Sequence, residues 1–186
     1  MDYDLIIAGA GPTGLMAAKT AAEKGLSVLV IEKRPNIAVY KRACSAMFHN
    51  SPGMNGETVT VRRNIDETRW FFKDSNFSIK YSGGIVDFYD YYVFSPSGYK
   101  LHMHRIEKPL GICFDFNALL RDLLLEAADN GVSFLTSSLA MKAENTDGGA
   151  KVLVKQRNKE FYVTGRKVIA ADGLASRIVE NAGKNR

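Results

Sequence analysis

The sequence predicts an α/β chain: a parallel sheet, an antiparallel β lobe inserted into it, and a β-meander crossover near the end. Three observations carry that prediction. A buried, strand-length run, Asp4–Ala8, leads directly into the glycine loop Gly9-Ala-Gly11-Pro12-Thr13-Gly14. A second apolar run, Ser27–Ile31, ends in the acid Glu32, 18 residues past Gly14. From about Pro35 to Pro109 helical periodicity gives way to aromatic sequence punctuated by turns.

The elements follow in order. The first strand spans about Tyr3 to Ala8. A helix from about Thr13 to Lys24 puts Leu15, Ala18 and Ala22 on one face and stops at Gly25, a natural C′ residue. The strand Ser27–Ile31 then completes a βαβ unit, with parallel strands and a right-handed crossover. In the inserted lobe, Phe77–Tyr81, Ile85–Phe94 and Tyr99–Met103 read as strands. Gly83-Gly84 and Ser95-Pro-Ser-Gly98 read as turns. Helical period returns over Phe116–Asn130, where Asp115 is the N-cap and Leu119, Leu120, Leu123, Leu124 and Ala127 form one face. The strand Val132–Thr136 rejoins the parallel sheet. Strands near Ala140–Glu144, Lys151–Gln156 and Glu160–Val163 follow, the first two joined by an Asp147-Gly-Gly149 hairpin turn. Lys167–Ala171 is a final parallel strand ending at Asp172-Gly173. The expected domains are residues 1–34 with 110–186 for dinucleotide binding, and 35–109 as an incomplete, mostly-β substrate lobe.

Composition narrows the function. Of 186 residues, 46% are hydrophobic and 24% charged, a globular rather than a disordered balance. The longest apolar stretches are of strand length, and the N-terminus begins with Asp2 and Asp4 rather than a basic leader. Cys44 and Cys113 form no CxxC pair, which suits a reducing, cytoplasmic setting. The net charge of +5 reads as a solvated basic surface. No basic stripe with interleaved aromatics points to nucleic acid. A basic surface also suits an anionic cofactor and peripheral contact with an anionic membrane.

The glycine loop carries the chemistry. In a Rossmann-like βαβ unit, Gly9 permits the tight turn, Gly11 lets phosphates approach the backbone, and Gly14 lets helix and strand pack closely. The helix N-terminus presents N–H groups to a pyrophosphate, and an acid at Glu32 is placed to bind ribose hydroxyls. The competing readings are a plain tight turn for the loop and a solvated strand-end acid for Glu32.

Three segments together resemble the glutathione-reductase-like FAD flavoproteins, in the branch containing para-hydroxybenzoate hydroxylase and the geranylgeranyl reductases. They are Gly9–Gly14 with Glu32-Lys33-Arg34, then Phe114-Asp115 with the following helix and Gly131-Val132, then Ala170-Ala-Asp172-Gly173-Leu-Ala-Ser176-Arg177. They span nearly the whole chain in the family's order. The resemblance implies FAD as cofactor, with NAD(P)H a candidate electron donor. It implies cofactor-binding roles for Gly9, Gly11, Pro12, Thr13, Gly14, Glu32, Lys33, Arg34, Lys41, Arg42, Asp172 and Gly173. Arg34 would add positive charge near the phosphates or stack on adenine. Lys41 and Arg42 either face the cofactor or are ordinary surface charges, and Asp172-Gly173 either borders the pyrophosphate or is a plain turn.

The Tyr92-Val-Phe-Ser95-Pro-Ser-Gly98 segment resembles the reductase group, which implies reduction of an isoprenoid-type double bond in a small apolar or lipid-like substrate. The alternatives are an FAD-dependent aromatic monooxygenase, a non-catalytic nucleotide-binding fragment and, less well matched, a plain NAD-dependent dehydrogenase. No side chain is assigned as a general acid or base, and no oligomeric state is assigned. The chain ends at Arg186, before the Gly-Asp signature that this family carries further on. That implies a C-terminally truncated or split piece holding the adenosine half of the site, with weak FAD binding and little turnover alone. Stoichiometric flavin copurifying with the chain would contradict this.

Other residues are assigned no role. Cys44-Ser-Ala stands where the geranylgeranyl reductases have Cys-Gly-Gly, and Cys44 reads as a buried, inert thiol. Tyr89, Tyr91 and Tyr92 read as sheet residues or as the lining of an apolar pocket. His102 and His104 share one face of a strand, but no third ligand stands nearby in sequence, so no metal is expected.

Overall fold

A computed structural model describes residues 2–41, 46–49, 57, 59–65 and 67–182. In chain order its elements are β1 (Tyr3–Ala8), α1 (Pro12–Ala22), β2 (Val28–Ile31), β3 (Met47–His49), β4 (Val59–Arg63), β5 (Thr68–Phe72), β6 (Phe77–Tyr81), β7 (Ile85–Phe88), β8 (Asp90–Phe94), β9 (Lys100–His104) and β10 (Gly111–Phe114). Then come α2 (Phe116–Asp129), β11 (Ser133–Leu135), β12 (Ser138–Thr146), β13 (Gly149–Gln156), β14 (Lys159–Ala170) and α3 (Arg177–Ala182). The chain divides into two units, Met1–Tyr40 with Leu120–Arg186, and Lys41–Leu119. Both divisions lie further along the chain than the sequence reading put them. Residues 35–40 stay with the first unit, where Ile37 is buried. Gly111–Phe114 joins the second because β10 pairs there with β3 and β7.

The first unit is one six-stranded sheet in the order β11-β2-β1-β14-β13-β12. Strands β11, β2, β1 and β14 run parallel, and β13 and β12 return antiparallel. The sheet is therefore mixed rather than wholly parallel. Fully buried Val28-Leu-Val-Ile31 and Leu5–Ala8 form its centre, as continuous apolar runs do when both faces are covered. On one face Ile6, Leu29, Ile31, Val152, Val154 and Val163 pack with Ile178 of α3. Alternation turns Ile7, Val28 and Val30 to the other face, where α1 packs on β1 and β2.

One correction concerns β14. The runs Glu160–Val163 and Lys167–Ala171 were read as separate strands, but they form a single strand of 12 residues. Its first half pairs antiparallel with β13 and its second half parallel with β1. Gly165 sits at the change-over, paired with Ala150 on one side and Tyr3 on the other. A Cβ there would lie 2.9 Å from the Ile6 side chain, so this glycine allows close packing rather than a break.

The second unit contains three small antiparallel sheets, β3-β10-β7, β4-β5-β6 and the hairpin β8-β9. The run Ile85–Phe94 is also corrected. It divides at Tyr89, because β7 pairs with β10 whereas β8 pairs with β9. Strands β3, β4, β5 and β10 were not foreseen. The core here is aromatic: the Trp70 ring lies 4.9 Å from that of Tyr81, tilted by 38°, and 5.0 Å from that of Phe114, edge to face. The Tyr81 hydroxyl accepts the Asp115 N–H at 2.8 Å and donates to Gly84 O at 2.9 Å. Asp115 caps α2 as expected, its Oδ1 accepting the Asn117 N–H at 2.8 Å.

Candidate cofactor site

The site is built where β1, β2 and β14 end, at the carboxyl edge of the parallel strands. Backbone hydrogen bonds set the ends in place. The Gly9 N–H donates to Ile31 O, and the Ala171 N–H donates to Ala8 O, both at 2.8 Å. Gly9 has φ +100°, and a Cβ there would lie 2.3 Å from Ala171 O. At Gly14 a Cβ would lie 1.9 Å from Gly9 O. The three loop glycines thus separate into two kinds. Gly9 and Gly14 are required by the protein's own packing, while a Cβ at Gly11 meets nothing within 4 Å. Gly11 is also the N-cap of α1, with no side-chain cap and no acid in the first turn. The leading N–H groups of α1, next to Pro12 and exposed Thr13, are the ready anion site of an uncapped helix.

Glu32 lies at the end of β2 and is 5% exposed. Its Oε2 accepts the Ala10 N–H at 2.7 Å, and its Oε1 accepts the Arg34 N–H and Nε–H, both at 2.9 Å. Arg34 Nη2 donates to Ala10 O at 3.1 Å. Burial opposes ionisation of Glu32, but the Arg34 and Ala10 hydrogen bonds outweigh it and hold the carboxyl below its ordinary 4.5. Glu32 therefore ties the loop to the strand end as well as standing where a ribose acceptor was expected. Ala10 was missed by the sequence reading. It acts through its backbone, and no side-chain pattern announces that.

Two polar atoms here are buried without a hydrogen-bond partner, Arg34 Nη1 and Asp172 Oδ1. The other Asp172 oxygen accepts the Arg177 N–H at 2.9 Å, at the start of α3. Orphaned buried groups cost about 1–3 kcal/mol each, so a partner at these positions is favoured. A cationic donor, a carboxylate acceptor, an uncapped helix N-terminus and an open Gly11 fit a dinucleotide pyrophosphate and ribose.

The remaining sequence candidates fall elsewhere. Lys33 is exposed and takes no part in the Glu32 network. Gly173 is exposed with φ +93°, as a turn after Asp172 requires. Lys41 is exposed and belongs to the second unit. Arg42 and Cys44 lie outside the described residues.

Comparison with known proteins agrees with this geometry. A family model described as FAD binding domain matches residues 2–49. The chain is 33% identical to digeranylgeranylglycerophospholipid reductase of Methanosarcina mazei, over 97% of this chain and 40% of that protein. The same-named protein of Methanocaldococcus jannaschii is 30% identical with the same coverage. The matched residues 2–49 include the glycine loop, Glu32 and Arg34. The fold is shared with a geranylgeranyl bacteriochlorophyll reductase-like protein of Thermoplasma acidophilum, at TM-score 0.69 and 22% identity over 97% of this chain and 42% of that one. It is also shared with aklavinone-11 hydroxylase, solved with FAD and aklavinone, at TM-score 0.61 and 18% identity over 98% of this chain and 35% of that one. The chain spans about 40% of the length of the curated relatives it matches.

Proposed function

We propose that this chain supplies the adenosine and pyrophosphate side of an FAD-dependent oxidoreductase that reduces an isoprenoid-type double bond in a lipid-like substrate. The observation that carries the reading is the convergence of the glycine loop on Ala171 and Asp172, about 160 residues away along the chain. The identity to archaeal digeranylgeranylglycerophospholipid reductases supports the substrate class.

Within this reading each residue has a separate task. The N–H groups of Gly11, Thr13 and Gly14 bind the pyrophosphate, with the α1 dipole behind them. Glu32 orients the ribose while Arg34 compensates its charge. Asp172 Oδ1 takes a hydrogen bond from the cofactor's sugar side. Reduced FAD held there would supply a hydride to the double bond, with a proton from water completing the saturation and NAD(P)H as the candidate reductant of the flavin. An apolar substrate comes from a membrane surface, and the net charge of +5 suits peripheral contact with an anionic one. Among the described residues no helix is long and apolar enough to cross a membrane.

Two measurements test this. Calorimetric titration with FAD, ADP and NAD should show FAD and ADP binding at one site and NAD binding more weakly. The reduced flavoprotein containing this chain, given geranylgeranylated lipid, should add two hydrogens per double bond by mass spectrometry. Preference for NAD would overturn the cofactor assignment. FAD binding without saturation would overturn the substrate assignment alone.

A further inference from the structure

The β8–β9 hairpin carries a cluster that the cofactor site does not use. Asp90 lies directly opposite His104 in the antiparallel register, and Tyr92 lies opposite His102. Residues two apart on a strand share a face, so Asp90, His102 and His104 project together. His102 Nε2 lies 2.7 Å from Asp90 Oδ1, and His104 Nδ1 lies 3.0 Å from the same oxygen. One ligand atom from each residue lies within 4.8 Å of the other two. We propose that Asp90, His102 and His104 form a binding site for a divalent first-row transition-metal ion, with zinc as its representative.

The donor set selects the ion. Two imidazoles and one carboxylate suit zinc and its neighbours, whereas magnesium and calcium take all-oxygen sets. Metal–ligand bonds of 2.0–2.2 Å place tetrahedral ligand atoms about 3.3 Å apart. The observed 2.7 and 3.0 Å contacts need open by only a few tenths of an ångström, within side-chain freedom. The three side chains are 41–48% exposed, so an ion reaches them from solvent and water completes its coordination.

The surroundings hold the ligands in position. The Tyr92 ring stacks on His102 at 4.2 Å and 12°, which sets the imidazole plane. The hairpin is tied at its turn by Tyr99 N–H to Ser95 Oγ at 3.0 Å, and at its open end by Arg105 N–H to Tyr89 O at 3.0 Å. Lys100, whose Nζ lies 4.3 Å over the Tyr92 ring, is a nearby charge on this face that opposes a cation. A two-stranded hairpin is marginal in water, and among the described residues β8–β9 pairs with no third strand. An ion bridging Asp90 to His102 and His104 would cross-link its two strands. His102 and His104 are visible as a pair in the sequence, whereas Asp90 precedes His102 by 12 residues and is brought to it by the hairpin register.

Zinc chloride titrated calorimetrically into the chelator-treated 186-residue chain tests the proposal. One equivalent should bind. Asp90→Asn, His102→Ala and His104→Ala should each weaken binding about tenfold or more, as loss of ligand-shell groups does. His49→Ala, at the chain's third histidine, should leave affinity unchanged. Zinc should also slow amide exchange across residues 90–104. Absence of binding would overturn the proposal. So would binding that survives Asp90→Asn and His104→Ala, or that His49→Ala weakens equally.

Discussion

The first unit buries Val, Ile and Leu in one continuous six-stranded sheet, whereas the second buries rings among short antiparallel sheets. In the first, the decisive geometry lies in the backbone: the turn at Gly9, the close approach at Gly14, and N–H groups left open at a helix start. In the second it lies in side-chain interlock, with Trp70 held between Tyr81 and Phe114. Backbone-defined structure fails when a single methyl is added. Ring-defined structure fails when atoms are removed.

The largest effects should come from these two opposite substitutions. Gly14→Ala puts a methyl 1.9 Å from Gly9 O and should cost more than about 3 kcal/mol in urea unfolding, with ADP binding lost. Gly11→Ala, with open space around it, should change stability by less than about 1 kcal/mol while still weakening FAD binding. Equal stability losses at Gly11 and Gly14 would erase the distinction between packing and ligand glycines. In the second unit, Trp70→Ala should cost about 3–5 kcal/mol, with loss of the near-UV aromatic signal.

Glu32→Gln should rank next, at about 1.5–3 kcal/mol, because it uncouples a buried carboxylate from Arg34. Its pH dependence follows from the lowered pKa of Glu32 in the folded state. The ionised form is favoured in the folded state, so the stabilisation is complete above about 4.5 and fades as pH falls through the lower folded value. The substituted protein should show a flatter acid limb in pH-dependent unfolding. Tyr81→Phe should cost about 1–2 kcal/mol, since Asp115 N–H and Gly84 O both lose a partner. The smallest effect belongs to Glu144→Gln. Lys142 and Lys151 pull the Glu144 carboxyl down to about 2, yet solvent screens the cluster, and the unfolding midpoint should not move measurably.

What could be read from the chain differed between the units. The glycine loop, the strand-end acid and the Asp172-Gly173 turn sit beside their own signals, so β1, α1, β2 and the site's outline were legible. Strands β4 and β5 were not. They carry Arg62 opposite Arg69, a like-charged pair that no strand pattern favours. It is accommodated by ion pairing of Arg69 to Glu67 at 2.8 Å and by Arg62 lying 4.7 Å over Phe71. Within the site, the Ala10 backbone contacts and the hydrogen bond from Arg177 N–H to Asp172 left no trace in residue type.

Local order thus dictated where the chain turns, where α1 and α2 begin, and where the glycines of the first loop fall. Those features depend on backbone angles and N–H groups within a few residues. The fold alone chose the partners: β14 joining β13 to β1, Trp70 meeting Phe114, Arg34 closing on Glu32 and Ala10, and Asp90 meeting His104. Each arises from packing and register between segments distant in sequence, where the energy depends on three-dimensional fit rather than on any repeating local pattern.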